Sequence, residues 1–296
     1  MTLSGLVPVL ATPFTPDGGL DLPGLRRLVE FQLAAGADGV ALFGMASEGF
    51  ALTAGDRAEV LAAVRETVAG AVPIVAGVAA TSTVTAVEQA RTATDGGAGA
   101  LMVLPPFMVK PSAAQLADFY GAVGAVGAEV MVQDAPGATG VAMPEGLIVE
   151  LSKLDGVTSV KVEAPPTAPK VGGVVRGVDP AFAVFGGQNA LFVLEEYAAG
   201  AVGTMPACEF TDLLAPVLRD WSAGRHREAH EAFNRLLPLI RFGMQPGLAW
   251  AVHKEVLVRR GLIASAAVRS PARPLDAGTL AGLDAVLATL DLPEAP

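Results

Sequence analysis

One lysine in this sequence stands where an amine nucleophile could form. Lys161 lies inside the apolar run at residues 157–162, and Glu163 follows two positions later. Burying a lysine in a strand is costly unless the amine is paired or neutral. A neutral amine can attack a ketone and form a Schiff base. The position therefore predicts a nucleophilic lysine, with a buried ion pair between Lys161 and Glu163 as the alternative.

Glu163 can act beside Lys161, because side chains two positions apart in a strand point to the same face. A carboxylate favours the charged ammonium and so opposes nucleophile formation, unless that carboxyl is itself protonated before substrate binds. Once a Schiff base forms, the positive iminium favours the carboxylate. We predict that Glu163 is a general acid/base. If the ketone carbon bound to Lys161 is C2 of the substrate, Glu163 removes a proton from C3 and assists departure of a hydroxyl from C4. A purely structural partner of Lys161 is the alternative.

Eight short apolar runs recur along the first two thirds of the chain, separated by helix-patterned stretches rich in Ala and Leu. Strands that alternate with helices predict parallel pairing through right-handed crossovers. Eight such units predict an α/β fold of the closed (β/α)8 TIM barrel type. An open doubly wound sheet is the alternative, although no glycine-rich dinucleotide fingerprint follows the first strand.

Catalysis in such barrels takes place at the C-terminal ends of the strands. Lys161 lies on the sixth predicted strand, and Gln133 on the fifth is expected to point inward as well. The strands are predicted at residues 6–11, 39–43, 73–78, 100–104, 130–133, 157–162, 182–185 and 202–205. Helices between them are predicted at residues 21–35, 54–68, 84–95, 112–126, 144–153 and 189–199.

The chain divides into two predicted parts. Residues 1–212 form the barrel that carries the active site, and residues 213–296 form a C-terminal helical extension packed on it. Prolines and glycines, Pro216 among them, interrupt the extension. Its helices are predicted at residues 225–240, 248–260 and 277–290. Such an extension could cover one side of the barrel or form a subunit contact.

The composition limits the possible partners. A net charge of −10 and a pI of about 4.8 argue against nucleic acid or an anionic membrane surface as a partner. No apolar stretch reaches the roughly 20 residues of a membrane span. The single cysteine, Cys208, fits a reducing compartment, so we expect a cytoplasmic protein with an inert thiol. His226 and His230 have metal-ligand spacing but no accompanying cluster, so no metal site is predicted.

Further motifs accompany Lys161 along nearly the whole chain. They are Leu52-Thr53 and the stretches at residues 5–14, 44–49, 136–137, 200–203 and 269–275. Together they resemble the dihydrodipicolinate synthase/N-acetylneuraminate lyase family, the Schiff-base aldolases and dehydratases of 2-keto acids. The resemblance implies a covalent Schiff base through Lys161 with no other cofactor. It also implies a small 2-keto acid substrate and a homo-oligomer, either a tetramer or a dimer.

The sequence departs from the family pattern at positions where the family has catalytic side chains. Met45 and Ala46 stand in for two threonines of the family. Phe107-Met108 occupies the place of one tyrosine, and Gln133 that of a second. An amide cannot exchange a proton near neutrality. The family's proton relay is therefore missing, and another group must move protons.

Two further features indicate which branch of the family the chain resembles. The pair Lys161-x-Glu163 is similar to that of the L-2-keto-3-deoxyarabonate dehydratases within it. Ala138 stands where dihydrodipicolinate synthases carry an arginine for the carboxylate of the aldehyde substrate. The resemblance thus implies a divergent member in which Glu163, rather than a tyrosine, transfers protons.

Candidate binding residues follow the ends of three strands. Backbone N–H groups of the loop at residues 44–49 can hold the carboxylate of a keto acid, with Ala46 and Ser47 as predicted contacts. The alternative for Ser47 is a hydroxyl that only fixes the turn. Gln133 is predicted to orient substrate hydroxyls. Gly187 is predicted to allow close approach of the ligand beside Gln188.

Other polar side chains receive weaker assignments. Asn189 is a candidate reader of sugar hydroxyls beside Gln188. Glu195 and Glu196 are expected on a solvated helix face, although either could lean into the site. His226, His230 and His253 all fall in the predicted C-terminal helices, and a surface helix face is expected for His226 and His230.

These residues together predict a Schiff-base-forming lyase that acts on a 2-keto acid. Dehydration or aldol cleavage of a 2-keto-3-deoxy sugar acid is the expected reaction, with dehydration slightly favoured. A dihydrodipicolinate synthase-like or pyruvate-dependent aldolase remains an alternative. A non-catalytic 2-keto acid binding protein on the same scaffold is another, because the proton relay is missing.

Overall fold

Eight parallel strands form the centre of the molecule in the computed structural model, which describes residues 3–290 and residue 292. The strands are β1 (Gly5–Leu6), β2 (Val40–Leu42), β3 (Ile74–Val78), β4 (Ala100–Val103), β5 (Glu129–Asp134), β6 (Val157–Val162), β7 (Ala183–Gly186) and β8 (Gly203–Thr204). They are hydrogen-bonded in the order β1-β8-β7-β6-β5-β4-β3-β2. Val9, just beyond β1, bridges both to Ala41 of β2 and to Ala207 after β8. These bridges close the ring, and the predicted (β/α)8 TIM barrel is confirmed.

Helices connect the strands and cover the outside of the barrel. They are α1 (Leu22–Ala34), α2 (Ala54–Val68), α3 (Thr83–Asp95), α4 (Ala113–Gly124), α5 (Pro136–Thr139), α6 (Glu145–Leu151), α7 (Thr167–Gly177), α8 (Val193–Ala198) and α9 (Thr211–Ser222). The C-terminal extension adds α10 (His226–Gly243), α11 (Ala249–Arg259) and α12 (Ala277–Leu287). Among the described residues, no helix combines the length and the apolar character needed to cross a membrane.

Alternation along the strands separates two apolar layers. Val160 and Val162 of β6 face outward into the cluster between barrel and helices, as predicted. Lys161 lies between them, level with Gln133 of β5 and Phe185 of β7 in the parallel register. Phe185 belongs to the apolar cluster that fills the barrel interior. The site residues therefore stand above a packed interior, at the C-terminal ends of the strands.

The segment after β7 corrects one predicted helix. Instead of a helix from residue 189, the chain makes a left-handed turn at Gln188, Asn189 and Ala190, with φ of 47°, 54° and 62°. Helix α8 begins only at Val193. Left-handed backbone costs about 1–2 kcal/mol per residue. A hydrogen bond of 2.8 Å from the N–H of Ala207 to Asn189 Oδ1 helps to hold the turn.

Helix α9 is absent from the sequence-based assignment, because Pro216 marks a break in the pattern. The proline instead lies inside the helix. An interior proline costs about 3 kcal/mol, but Leu214, Val217 and Leu218 are buried against the rest of the fold and offset that cost. The predicted boundary between residues 212 and 213 falls within α9, and the division into two parts stays a prediction.

A buried network fastens the extension to the loop after β2. Lys254 Nζ of α11 lies 2.5 Å from Glu48 Oε1, with both side chains almost fully buried. The N–H of Arg269 donates to Glu48 Oε2 at 2.9 Å. The Arg269 guanidinium also pairs with Asp56 of α2 at 2.7 Å. Burial lowers the pKa of Lys254 to about 8, against the opposing effect of Glu48.

We expect the variant Arg269→Ala to lower the free energy of unfolding by about 2 kcal/mol at pH 7, because a charge-assisted pair and its hydrogen bonds are lost. Arg269 holds the pKa of Asp56 at about 2 through its hydrogen bond. A lowered carboxyl pKa stabilises the fold above the unfolded value and loses that effect as pH falls toward 2. The difference between wild type and variant should therefore shrink below about pH 4.

Urea unfolding at pH 7 and pH 3 measures this difference. Arg273→Ala is the matched control, because Arg273 is exposed on the same segment. An equal loss of unfolding free energy in Arg269→Ala and Arg273→Ala would contradict a stabilising role of the Arg269–Asp56 pair. A loss that does not depend on pH would contradict it as well.

Candidate active site

Lys161, Glu163 and Gln133 meet at the mouth of the barrel. Lys161 Nζ lies 3.2 Å from Glu163 Oε1, and the two side chains are only 5% and 10% exposed. Gln133 Nε2 donates to Glu163 Oε2 at 2.7 Å. Each carboxylate oxygen of Glu163 thus faces one of the other two side chains. The structure brings together the predicted nucleophile, the predicted acid/base and the predicted hydroxyl-orienting amide.

Residues after β7 hold Glu163 in place. A Cβ at Gly187 would overlap Glu163 Cγ, so only glycine leaves room for the glutamate there. Gln188 Nε2 donates to the backbone carbonyl of Glu163 at 2.7 Å. Both residues therefore contact the acid/base candidate, and their predicted contact with substrate stays a prediction.

Asp134 and Lys170 brace the adjoining strand end. Asp134 is buried at the end of β5, and Lys170 Nζ of α7 lies 2.6 Å from its Oδ2. The N–H of Glu163 donates to the backbone carbonyl of Asp134 at 2.9 Å. Burial raises the pKa of Asp134, and Lys170 opposes that effect. This pair links α7 to the backbone that carries Glu163.

A cavity of about 460 Å³ opens above Lys161 and Glu163. Met45 and Ala46 of the predicted carboxylate loop line it. Within the described residues their backbone N–H groups have no hydrogen-bond partner, so they can donate to an anion. Ser47 is buried outside the cavity lining and its carbonyl accepts a hydrogen bond from Thr12 Oγ1 at 2.7 Å. In the part of the chain that the structure describes, the Ser47 hydroxyl has no hydrogen-bond partner.

The C-terminal extension forms one wall of this cavity, which sequence patterning does not show. Residues from Gly243 to His253 line it, Trp250 among them. Trp250 Nε1 donates to the carbonyl of Met45 at 2.6 Å. Its ring also packs edge-to-face on Phe50 at 5.0 Å. The extension therefore shapes the loop that is predicted to hold the carboxylate.

His253 is a cavity residue to which the sequence pattern assigns no role. His253 lies on the cavity wall and is buried, with Nδ1 2.7 Å from Glu209 Oε1. Glu209 is itself buried. The helical period of α11 does not reveal this, because the side that is covered depends on how the extension folds back. His226 and His230 are exposed, as expected.

The reactivity of Cys208 and the presence of metal ligands can also be examined in the structure. Cys208 is buried, and burial raises the pKa of its thiol to about 12, in line with the inert thiol expected from the sequence. Across residues 3–290 and 292, no three side chains of the His, Cys, Asp or Glu type converge in a way that could hold a metal ion.

Comparison with known proteins decides the family. A family model described as the dihydrodipicolinate synthetase family matches residues 2–290. The chain belongs to this family.

Individual relatives agree along the full length. L-2-keto-3-deoxyarabonate dehydratase from Azospirillum brasilense is 33% identical over 294 residues, which cover 97% of this chain and 94% of that protein. A 4-hydroxy-tetrahydrodipicolinate synthase from Stenotrophomonas maltophilia is 32% identical over 302 residues, covering 97% and 99%. The crystal structure of dihydrodipicolinate synthase from Rhodopseudomonas palustris has a TM-score of 0.91 at 28% identity, covering 98% of both chains. The chain is accordingly an enzyme, a lyase of the class I aldolase and dehydratase type.

Two of the departures that the family resemblance implies, Gln133 and Ala138, lie at the β5 side of the site. Gln133, in the place of a tyrosine, is bonded to Glu163. Ala138, in the place of the arginine, lines the cavity together with Ala135 and Gly137. Among the described residues, the segment after β5 therefore contributes no charged side chain to the cavity lining.

Glu196 is a further buried carboxyl, and its predicted solvated position is wrong. Glu195 is exposed, whereas Glu196 is fully buried near Thr167, which opposes the effect of burial on its pKa. A Cβ at Gly186 would overlap Glu196 Oε2, so the carboxyl lies directly against the end of β7. Burial raises the pKa of Glu196 to about 7, and Glu163 adds to that effect.

We expect Glu196→Gln to stabilise the protein in a pH-dependent manner. A carboxyl whose folded pKa is raised to about 7 destabilises the fold as pH rises from its unfolded value, near 4.5, through that folded value. The neutral amide removes this penalty. The gain in unfolding free energy should therefore be near zero at pH 4.5 and reach up to about 3 kcal/mol above pH 7.

Chemical denaturation between pH 4.5 and pH 8 tests this expectation. Glu195→Gln is the matched control, since that neighbour is exposed. If the difference in unfolding free energy between Glu196→Gln and wild type stays constant from pH 4.5 to pH 8, the buried carboxyl is not destabilising.

Proposed function

We propose that the protein is a Schiff-base lyase that dehydrates a 2-keto-3-deoxy sugar acid without a further cofactor. The observation that carries the proposal is the buried pair of Lys161 and Glu163, 3.2 Å apart on the wall of one cavity. An amine and a carboxyl at this distance can share one proton, so the neutral amine is accessible without bulk solvent.

The proposed reaction begins at Lys161. The amine attacks the C2 ketone, and loss of water gives an iminium. The carboxylate of Glu163 removes a C3 proton, and the electron pair of that C–H bond moves to the iminium to give an enamine. The enamine expels the C4 hydroxyl, which takes the proton back from Glu163 and leaves as water. Hydrolysis of the conjugated iminium frees Lys161, and the net change is loss of one water.

Backbone donors are proposed to hold the substrate carboxylate. The unpaired N–H groups of Met45 and Ala46 lie on the cavity and suit an anion. Ser47 supports the loop from below. We propose that Gln133 orients a substrate hydroxyl. We also propose that Gly187 and Gln188 contact the substrate on the side of Glu163 that faces it.

Dehydration is favoured over aldol cleavage by Gln133. Cleavage in this family relies on a tyrosine at that position, and an amide cannot take its proton. The 33% identity to a relative named L-2-keto-3-deoxyarabonate dehydratase supports the same reaction. Ala138 disfavours a synthase that needs an arginine there.

We expect borohydride reduction in the presence of pyruvate to attach the reduced keto acid to Lys161, as read by mass spectrometry of the modified peptide. Lys161→Ala should form no adduct. Glu163→Gln should still form the adduct but lose dehydration of 2-keto-3-deoxypentonates by at least about 100-fold, because the general acid/base is absent.

Lys153→Ala is the matched control for the lysine, since Lys153 is exposed and pairs with Glu150. An adduct on any other lysine, or full turnover by Lys161→Ala, would overturn the proposal. An adduct in wild type without turnover of any deoxy keto acid would point to the binding-protein alternative. Release of pyruvate would instead identify an aldolase.

We also propose a cytoplasmic homo-oligomer. The free, buried Cys208 fits a reducing compartment. In the loop after β4, Phe107, Met108 and Val109 form a run of exposed apolar side chains, with Met108 77% exposed and Val109 69% exposed. Exposed apolar clusters of this kind mark contact surfaces. A second copy of the chain is the proposed partner.

Sedimentation should therefore give a mass at a multiple of the 30.0 kDa chain, and Met108→Asp should lower it. A charge placed in an apolar interface is costly, whereas Val202→Asp, at an exposed apolar residue at the opposite end of the barrel, should leave the mass unchanged. A wild-type mass of 30.0 kDa would contradict the oligomer.

A further inference from the structure

Glu196 of α8 is a buried carboxyl that the proposed chemistry does not use. Its side chain is 0% exposed, and its Oε2 lies so close to the end of β7 that a Cβ at Gly186 would overlap it. An ionised carboxylate in such a position destabilises the fold. A buried titratable group beside a reactive pair is a candidate for a functional role, because its charge acts on that pair with little screening by solvent.

The strand register places this carboxyl at the level of the reacting pair. Gly186 of β7 is level with Val162 of β6, the residue between Lys161 and Glu163. Phe185 points into the barrel, so the next position, Gly186, faces the outside, where Glu196 lies. Parallel strands are only about 4.8 Å apart. Strand backbone alone therefore separates the carboxyl of Glu196 from the pair at the barrel mouth.

Few other charges act on Glu196 from the elements packed around it. Its hydrogen-bonding and titratable neighbours are Thr167 at the start of α7, Glu195 and Tyr197 on α8, and Glu163 and Lys161 across β7. Glu195 is exposed, so solvent screens its charge. On α7, Lys170 is paired with Asp134 at 2.6 Å, and Arg176 is exposed. The buried charges that Glu196 faces are therefore those of the reacting pair.

The effect of Glu196 on this pair has a definite sign. With one shared proton, the pair is either an ammonium beside a carboxylate or a neutral amine beside a neutral carboxyl. A negative Glu196 repels the carboxylate of Glu163 and attracts the ammonium of Lys161, so the two effects oppose each other. Glu163 has the larger influence on the pKa of Glu196 and Lys161 the smaller. Since such interactions are mutual, the repulsion dominates and the negative charge favours the neutral pair.

We propose that Glu196 is a positioning residue whose negative charge moves the proton shared by Lys161 and Glu163 towards Glu163 and so increases the fraction of nucleophilic amine. The proton passes from Lys161 Nζ to Glu163 Oε1, 3.2 Å away, and the net charge of the pair does not change. The inference rests on the proposed function, because it assigns the role of nucleophile to Lys161. Glu196 itself lies behind the strand and touches no substrate.

Reaction with pyruvate isolates the nucleophilic step, because pyruvate has no hydroxyl to eliminate. Samples taken at successive times are quenched into borohydride at one fixed pH, and intact mass gives the fraction of chains that carry the reduced adduct. The measured quantity is the second-order rate constant of adduct formation as a function of the reaction pH. The ratio of this constant in wild type to that in Glu196→Gln cancels the pH effects that both proteins share.

We expect this ratio to change with the ionisation of Glu196. Burial raises the pKa of Glu196 to about 7. At about pH 5.5 the carboxyl is therefore mostly neutral, as the amide is, and the ratio should be close to 1. At about pH 8 the charge is present and the ratio should reach about three- to tenfold, the size of a pKa shift of about half to one unit. Because Glu196→Gln is expected to be more stable than wild type, unfolding does not account for a slower reaction.

Two further variants test whether the charge is responsible. Glu195→Gln is the matched control, and its rate constant should stay within about twofold of wild type at both pH values, because solvent screens that exposed position. Glu196→Asp keeps a carboxylate near the same place and should react faster than Glu196→Gln at about pH 8. Equal rates of Glu196→Asp and Glu196→Gln at that pH would contradict a role for the charge.

The outcomes separate this inference from the proposed function. A ratio near 1 at both pH values, or the same ratio at both, would overturn the role of Glu196 while wild type still forms its adduct. A faster reaction of Glu196→Gln than of wild type at about pH 8 would show that the sign is wrong and would overturn it too. Failure of wild type to form any adduct with pyruvate would overturn the proposed function and this inference with it.

Discussion

The pair of Lys161 and Glu163 is the interaction on which the site depends. Two groups of opposite charge lie 3.2 Å apart with almost no solvent contact. Removing one partner would leave a buried charge uncompensated, which costs about 3–5 kcal/mol. The contact that stabilises the fold therefore also fixes the position of the amine that we propose as the nucleophile. Gln133 and Asp134 fix the position of Glu163 and so preserve this balance.

Gly186 and Gly187 let two carboxyl groups approach one strand end from opposite sides. Glu163 lies against Gly187, and Glu196 lies against Gly186. Only backbone separates the two glutamates, so the charge on Glu163 adds to the raised pKa of Glu196. Glu196 of the helix layer therefore contributes to the electrostatic environment of Lys161 and Glu163, together with the groups at the barrel mouth.

The C-terminal extension completes the site rather than only covering the barrel. Lys254 is buried against Glu48 in the loop after β2, and this contact fixes α11 over the mouth. From that helix Trp250 reaches the carbonyl of Met45, and His253 reaches Glu209. Lys254, whose pKa burial lowers to about 8, thus stabilises the contact between the extension and the barrel.

The sequence by itself determined the barrel and placed Lys161 and Glu163 on one face of a strand, because strand periodicity and the spacing of these two residues are local properties. It did not reveal that His253 and Glu196 are buried, or that the chain turns left-handed at Asn189. Helical periodicity states which side chains share a face, but the covering of that face depends on distant segments. Only the tertiary structure brings His253 to Glu209, since closure of the barrel and return of the extension decide which polar groups line the cavity.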